Sequence, residues 1–127
     1  MSPRVSVSPP PRAFRLDGKK ALVTGGGRGI GRGIAECFAE AGADVAIVYR
    51  RDADAAASTV DAIAAHGRLG LAFACDVRDG AAVHRTVSEA RDALGGLDIV
   101  VANAGVATRF QPLHEVDPSY WQRILDV

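Results

Sequence analysis

The run Thr24-Gly25-Gly26-Gly27-Arg28-Gly29-Ile30-Gly31 holds the most legible chemistry in this 127-residue chain. Ahead of it lies the apolar stretch Ala21-Leu22-Val23, and after it Ile30, Ile34, Cys37, Phe38 and Ala41 recur at helical spacing. A strand that turns into a helix through glycine gathers bare backbone N–H groups and the positive end of a helix dipole at one point. That arrangement suits a diphosphate. Groups for acid–base or nucleophilic work on a substrate are not evident. His66, His84 and His114 are dispersed without metal-ligand spacing, and Tyr120 and Trp121 have packing as their default role.

The elements that must position the glycine run follow from periodicity. Ala21–Thr24 reads as a first strand and Gly29–Ala41 as a first helix, with Gly42 at its C′ position. Asp44–Tyr49 is a second strand. A second helix runs from Asp54 to His66 with Ala56, Val60 and Ile63 on one face. Leu69–Cys75 is a third strand, and Asp79 caps a third helix whose stripe is Val83, Val87, Ala90 and Leu94, ended by Gly95-Gly96. Asp98–Ala102 is a fourth strand, apolar enough to be buried on both faces. Asp117-Pro118 reads as an N-cap with proline at N1, opening a last helix.

Strand–helix alternation with short links predicts right-handed crossovers and a mostly parallel sheet in the order 3-2-1-4. This is the first half of a doubly wound, Rossmann-type α/β fold, and a ligand crevice belongs at the carboxyl ends of strands one and four, where the order reverses. The glycine run and Asn103-Ala104-Gly105 follow those two strands.

The bulk numbers narrow the classes. A chain 48% hydrophobic and 24% charged is an ordinary globular composition, and its length allows one domain with a core. Fifteen basic residues balance fifteen acidic ones, so no overall field favours nucleic acid or an anionic membrane, and anion binding has to be local. No apolar run reaches the length of a membrane span. Cys37 and Cys75 form neither a disulfide framework nor a zinc signature, and both are expected as buried free thiols in a reducing cytoplasm. Residues 1–16 carry Arg4, Arg12 and Arg15, no acid and the run Pro9-Pro10-Pro11, and read as a disordered tail ahead of a domain over 17–127.

The glycine spacing is GxxxGxG (Gly25, Gly29, Gly31, with Thr24 in front) rather than the commoner GxGxxG. In this the chain resembles the short-chain dehydrogenase/reductase family, whose motif is TGxxxGxG. Asp76-Val77, Leu97-Asp98 and Ala102-Asn103-Ala104-Gly105 match the family in order, and the resemblance covers about Leu16 to Val127, leaving a 3-oxoacyl-ACP-reductase-like branch among its alternatives. Physically, Gly25 allows a positive φ, while Gly29 and Gly31 remove side chains where a pyrophosphate and the neighbouring strand approach.

The resemblance implies further roles. The residue ending strand two selects the cofactor, and here Tyr49 stands there in place of an acid, followed by Arg50 and the weaker candidate Arg51. Arg28 matches a position where NADP-using members carry a base, so NADP is expected and NAD is the lesser alternative. Asp76 matches the aspartate that accepts from the adenine amino group, with Val77 beside the ring, although capping the following turn is a rival role. Asn103 matches an asparagine that braces the central strands and lines the nicotinamide side; Ala102 replaces its neighbouring asparagine.

The family's catalytic serine, YxxxK tyrosine and lysine match nothing here: Tyr49 and Tyr120 are followed four places on by Ala53 and Ile124. The expectation is therefore the cofactor-binding half of an NADP-dependent oxidoreductase acting on a small carbonyl or alcohol, inactive by itself. Alternatives are a non-catalytic nucleotide- or partner-binding remnant, or a truncated non-functional product. With strand four lacking its neighbour, the isolated chain is expected to be marginally folded or to self-associate, and the resemblance implies homo-oligomers for a full-length form.

Overall fold

Alternating side chains on two adjacent strands explain how this chain buries both faces of a sheet. In β1 (Lys20–Thr24) Ala21 and Val23 point to one side and Leu22 to the other; in β2 (Asp44–Tyr49) Val45 and Ile47 oppose Ala46 and Val48. All are buried, as fits the two inner strands of a parallel sheet. The computed structural model describes Ser8, residues 11–106 and residues 111–127. The other elements are α1 (Gly29–Glu40), α2 (Ala53–Ala65), β3 (Gly70–Ala74), α3 (Gly80–Leu94), β4 (Ile99–Val101) and α4 (Pro118–Leu125).

The strands pair in parallel in the order β3-β2-β1-β4, as the alternation predicts. One core lies between β1, β2 and helices α1 and α2, with Ala35, Ala39, Ala56 and Ile63 as the helical contributors. The second lies on the opposite face, where Ala90 and Leu94 of α3 meet Leu22, Ala46, Val48 and Cys75. Asp79 and Asp117 cap α3 and α4 through Ala82 N and Ser119 N, and Gly95 ends α3 at φ 78°.

Four local expectations change. The face that α1 buries is Gly31, Ala35 and Ala39, flanked by Ile34 and Phe38, so Cys37 is exposed and Ile30 stands 77% exposed. Small residues on that face let the helix ride close over the sheet, Ile34 and Phe38 pack at its margins, and Ile30 turns away. Helix α2 begins one residue earlier than expected because Asp52 caps it, its Oδ1 accepting from Ala55 N at 2.9 Å. Buried Thr59, not Val60, completes its inner face. Finally, β4 is an edge strand of three residues with Val100 58% exposed, so it is not covered on both faces.

Residues 1–7 and 9–10 of the expected tail lie outside the described residues. Within its remainder, Arg12–Phe14 forms a single 3-10 turn, Arg15 donates to Glu40 O, and Leu16 N donates to Ala41 O. At the amino-terminal edge of the sheet, Asp44 gathers Lys20 Nζ, Arg68 Nε and Leu69 N, while Asp98 accepts from Lys20 N at 2.8 Å. Burial alone would raise the Asp44 pKa, but the hydrogen bonds from Lys20, Leu69 and Arg68 prevail and hold it below the ordinary value.

Candidate functional site

Parallel pairing of β1 with β4 brings the two glycine-bearing segments together at the carboxyl edge of the sheet. Thr24 is the joint. Its Oγ1 accepts from Asn103 N and Ala104 N, both at 3.0 Å, and donates to Val101 O at 3.4 Å. Asn103 answers with its amide, Nδ2 donating to Thr24 O at 3.1 Å and to Gly25 O at 3.3 Å. A hydroxyl and an amide thus tie the turn after β1 to the loop after β4.

Each glycine of the turn has its own reason. Gly25 has φ 66°, and a Cβ there would lie 3.0 Å from both Ala104 Cα and Asn103 Nδ2. A Cβ at Gly31 would stand 2.1 Å from Gly25 O and 2.6 Å from Asn103 Nδ2, so this glycine lets the first turn of α1 pass over the strand end. Gly29 differs: its φ is 59°, and a Cβ there would meet nothing within 4 Å. The space above Gly29 is open to a ligand. Helix α1 starts here with no side-chain cap and no acid in its first turn, and exposed Arg28 is its N-cap residue. Uncapped N–H groups, an open approach and an adjacent guanidinium fit a diphosphate-bearing dinucleotide.

Two residues outside the motif also build the turn. Gly26 N donates to Val48 O, and a Cβ at Gly26 would lie 2.5 Å from Ile47 Cγ2, so this position is closed by the neighbouring strand. Buried Thr59 of α2 places its hydroxyl 3.2 Å from both Gly27 O and Ala55 O. Nothing in the spacing marks Gly26, and Thr59 in sequence resembles any polar helical residue.

The remaining site residues lie where β2 and β3 leave the sheet. Tyr49 is half-buried against the α1–α2 core, and Arg50 and Arg51 beyond it are exposed. Asp76 follows β3, with half-buried Val77 beside it. The Asp76 carboxylate is engaged by Arg78: Oδ1 accepts from its N and Nε at 3.0 Å, and Oδ2 from its Nη2 at 2.6 Å. Arg50 Nε stands 3.7 Å from the same Oδ2. Hydrogen bonds from the Arg78 side chain and backbone, with the Arg50 charge behind them, hold this carboxyl far below the usual range. The rival role of Asp76, bracing the turn that follows, is realised in these bonds. Gly105 lies exposed after Asn103-Ala104. Arg50 and Arg78 line a cleft of about 360 Å³ with Tyr120, Arg123 and Ile124 of α4, and Arg123 stands 5.3 Å from the Tyr120 ring centre.

A parallel sheet in this order, with a glycine turn braced at the point of reversal, defines a Rossmann-like fold. Comparison with known proteins is specific. The family model described as short chain dehydrogenase matches residues 19–127. Versicolorin reductase of Emericella nidulans is 40% identical over 114 residues, 90% of this chain and 43% of that protein. A short chain dehydrogenase from Burkholderia cenocepacia, solved in complex with NADP, aligns with a TM-score of 0.82 at 45% identity, covering 89% of this chain and 46% of its own. Carveol dehydrogenase from Mycobacterium avium, solved in complex with NAD, aligns with a TM-score of 0.82 at 33% identity, covering 89% and 45%.

The chain belongs to the short-chain dehydrogenase/reductase family, a family of oxidoreductases that use NAD or NADP. It spans less than half the length of these relatives. Among the described residues, no helix is long and apolar enough to cross a membrane.

Proposed function

We propose that this chain is the NADP-holding portion, centred on residues 17–127, of an oxidoreductase that interconverts a small carbonyl compound and its alcohol. The observation that carries the proposal is the uncapped start of α1 over an open Gly29, with Arg28 at the N-cap and Arg50 at the end of β2. In this reading the N–H groups of the Gly25–Gly31 turn hold the diphosphate, and Thr24 and Asn103 keep that turn in place. Arg28 and Arg50 receive the extra phosphate that distinguishes NADP, while Tyr49 stands where an acid would repel it. Ile30 lies on the exposed first turn of α1, and Val77 flanks the adenine region. Asn103-Ala104-Gly105 borders the nicotinamide side. The bound nicotinamide supplies the hydride, and the acid–base groups belong to residues other than those of this chain. The free thiols Cys37 and Cys75 accord with a reducing, cytoplasmic setting.

The test is the affinity of the chain for NADPH and NADH, read by nicotinamide fluorescence, in the wild type and in Arg50→Ala. A charge-assisted contact to phosphate makes the expected preference for NADPH about tenfold, eroded by the substitution. Equal affinities that the substitution leaves unchanged refute the NADP assignment.

A further inference from the structure

Sheet register brings Arg50 opposite Cys75, the residue just before Asp76, because Tyr49 pairs with Ala74 and Cys75 N donates to Tyr49 O at 2.9 Å. The chain therefore leaves two adjacent strands at one corner of the carboxyl edge. One carboxylate, Asp76, then binds Arg78 along the Nε–Nη2 edge and holds Arg50 Nε at 3.7 Å. A guanidinium carries five N–H donors, so this leaves most donors of Arg50 and part of those of Arg78 for another acceptor. Both side chains line the 360 Å³ cleft, and Arg123 contributes a third guanidinium to it. Asp76 meets Arg50 and Arg78 at the cleft, while Asp126 acts on Arg78 and Asp117 on Arg123 from farther away.

We infer that Asp76 is a positioning residue that sets Arg50 and Arg78 as a paired-guanidinium cradle for a phosphomonoester, the 2′-phosphate of an adenosine ribose, and that Arg78 helps determine cofactor choice. The inference rests on the NADP reading above and extends it to a residue that no glycine or strand-end motif marks. Paired forks suit a doubly charged terminal phosphate, whose oxygens each accept two bonds, better than a single ammonium would. Asp76 is also recast. With Oδ1 and Oδ2 both taken by Arg78, its main task is to aim the arginines rather than to accept from the adenine amino group.

Calorimetric titration of the chain with 2′,5′-ADP and with 5′-AMP separates these roles without any need for turnover, because the two ligands differ by the phosphate alone. Wild type binds 2′,5′-ADP the more tightly. Arg78→Gln weakens 2′,5′-ADP about tenfold and leaves 5′-AMP unchanged, and Arg78→Lys recovers only part of the loss. Asp76→Asn weakens 2′,5′-ADP more than 5′-AMP. If Arg50→Ala lowers the preference but Arg78→Gln does not, or if Arg78→Gln weakens both ligands equally, the role of Arg78 is overturned and the NADP assignment stands. An equal loss for both ligands in Asp76→Asn overturns the positioning role and returns Asp76 to the adenine. Wild type that binds the two ligands equally overturns the NADP assignment, and this inference with it.

Discussion

Alanine at Gly31 and at Gly33 is the same change two residues apart in one helix, and the structure assigns it opposite signs. At Gly33 a Cβ would meet nothing within 4 Å, and the position is exposed within α1. Alanine there gains helix propensity and restricts the unfolded chain, so Gly33→Ala should stabilise by about 0.5–1 kcal/mol. Gly31 would gain the same, but its Cβ would lie 2.1 Å from Gly25 O, 2.8 Å from Gly25 C and 2.6 Å from Asn103 Nδ2, where ordinary contact begins at 3.4 Å. The close atoms are turn backbone and an amide already engaged in two hydrogen bonds, so no flexible side-chain end is available to give way. Relieving the overlap moves α1 away from the strand end by roughly 1 Å, an overpacking cost of about 1–3 kcal/mol. Loosening the two Asn103 bonds adds about 1 kcal/mol each. Net of propensity, Gly31→Ala should destabilise by about 2–4 kcal/mol, a Tm fall on the order of 10 °C or more for a domain of this size. Urea melts followed by far-ultraviolet circular dichroism measure both variants against wild type, with the m-value as the check that the same surface unfolds. A Gly31→Ala midpoint at or above that of wild type refutes the packing argument. A Gly33→Ala loss as large as that of Gly31→Ala would show that the helix resists any side chain there, and refute it equally.

Two further perturbations test the scaffold around the site. Asp44 is more acidic in the folded chain than in the unfolded one, so between its two pKa values the unfolded chain holds the extra proton; its stabilisation is complete above about pH 4 and is lost as pH falls below it. Asp44→Asn should therefore cost about 2 kcal/mol at neutral pH, discounted for the partial exposure of Lys20 and Arg68, and should flatten the acid limb of stability against pH; thermal melts from pH 3 to 7 with a slope equal to that of wild type would count against it. Thr59→Val keeps the shape and removes the hydroxyl that reaches Gly27 O, so it should lower stability by about 1 kcal/mol and weaken NADPH and NADH by one common factor. A change confined to one cofactor would contradict its role as a brace of the turn.

Much of this architecture was legible because it is written in local pattern. Ala21–Thr24 and Asp44–Tyr49 are apolar runs bounded by turn residues, and Asp79 and Asp117 stand one residue before the helices they cap. The positive φ of Gly25 was legible for the same reason, since a strand-to-helix turn demands it. What escaped depends on a partner far along the chain. Gly26 is glycine because Ile47, twenty-one positions on, fills the place of its side chain. Thr59 looks like a surface residue until its hydroxyl is seen against Gly27 O, and Arg78 gains meaning only when register sets Asp76 beside Arg50. The buried face of α1 was misjudged through size: apolar bulk pointed to Ile30 and Cys37, whereas close approach to the sheet selects Gly31, Ala35 and Ala39.

The two edges of the sheet treat charge in different ways, although the chain has zero net charge. At the amino-terminal edge the charges close on one another: Asp44 is shared by Lys20 and Arg68, and Asp98 takes a backbone N–H. Such a cluster fastens strand ends and projects little field, because its members neutralise each other at contact distance. At the carboxyl edge the cations are dispersed. Arg28, Arg50 and Arg78 lie on three separate segments, Asp76 is, among the described residues, the carboxylate paired with the latter two, and the helix that starts after Arg28 has no acid in its first turn. The helix dipole then adds to the guanidinium charge instead of being cancelled by a cap. A balanced composition therefore covers two unlike rims, one closed by ion pairs at contact distance and one that leaves Arg28, Arg50 and Arg51 exposed.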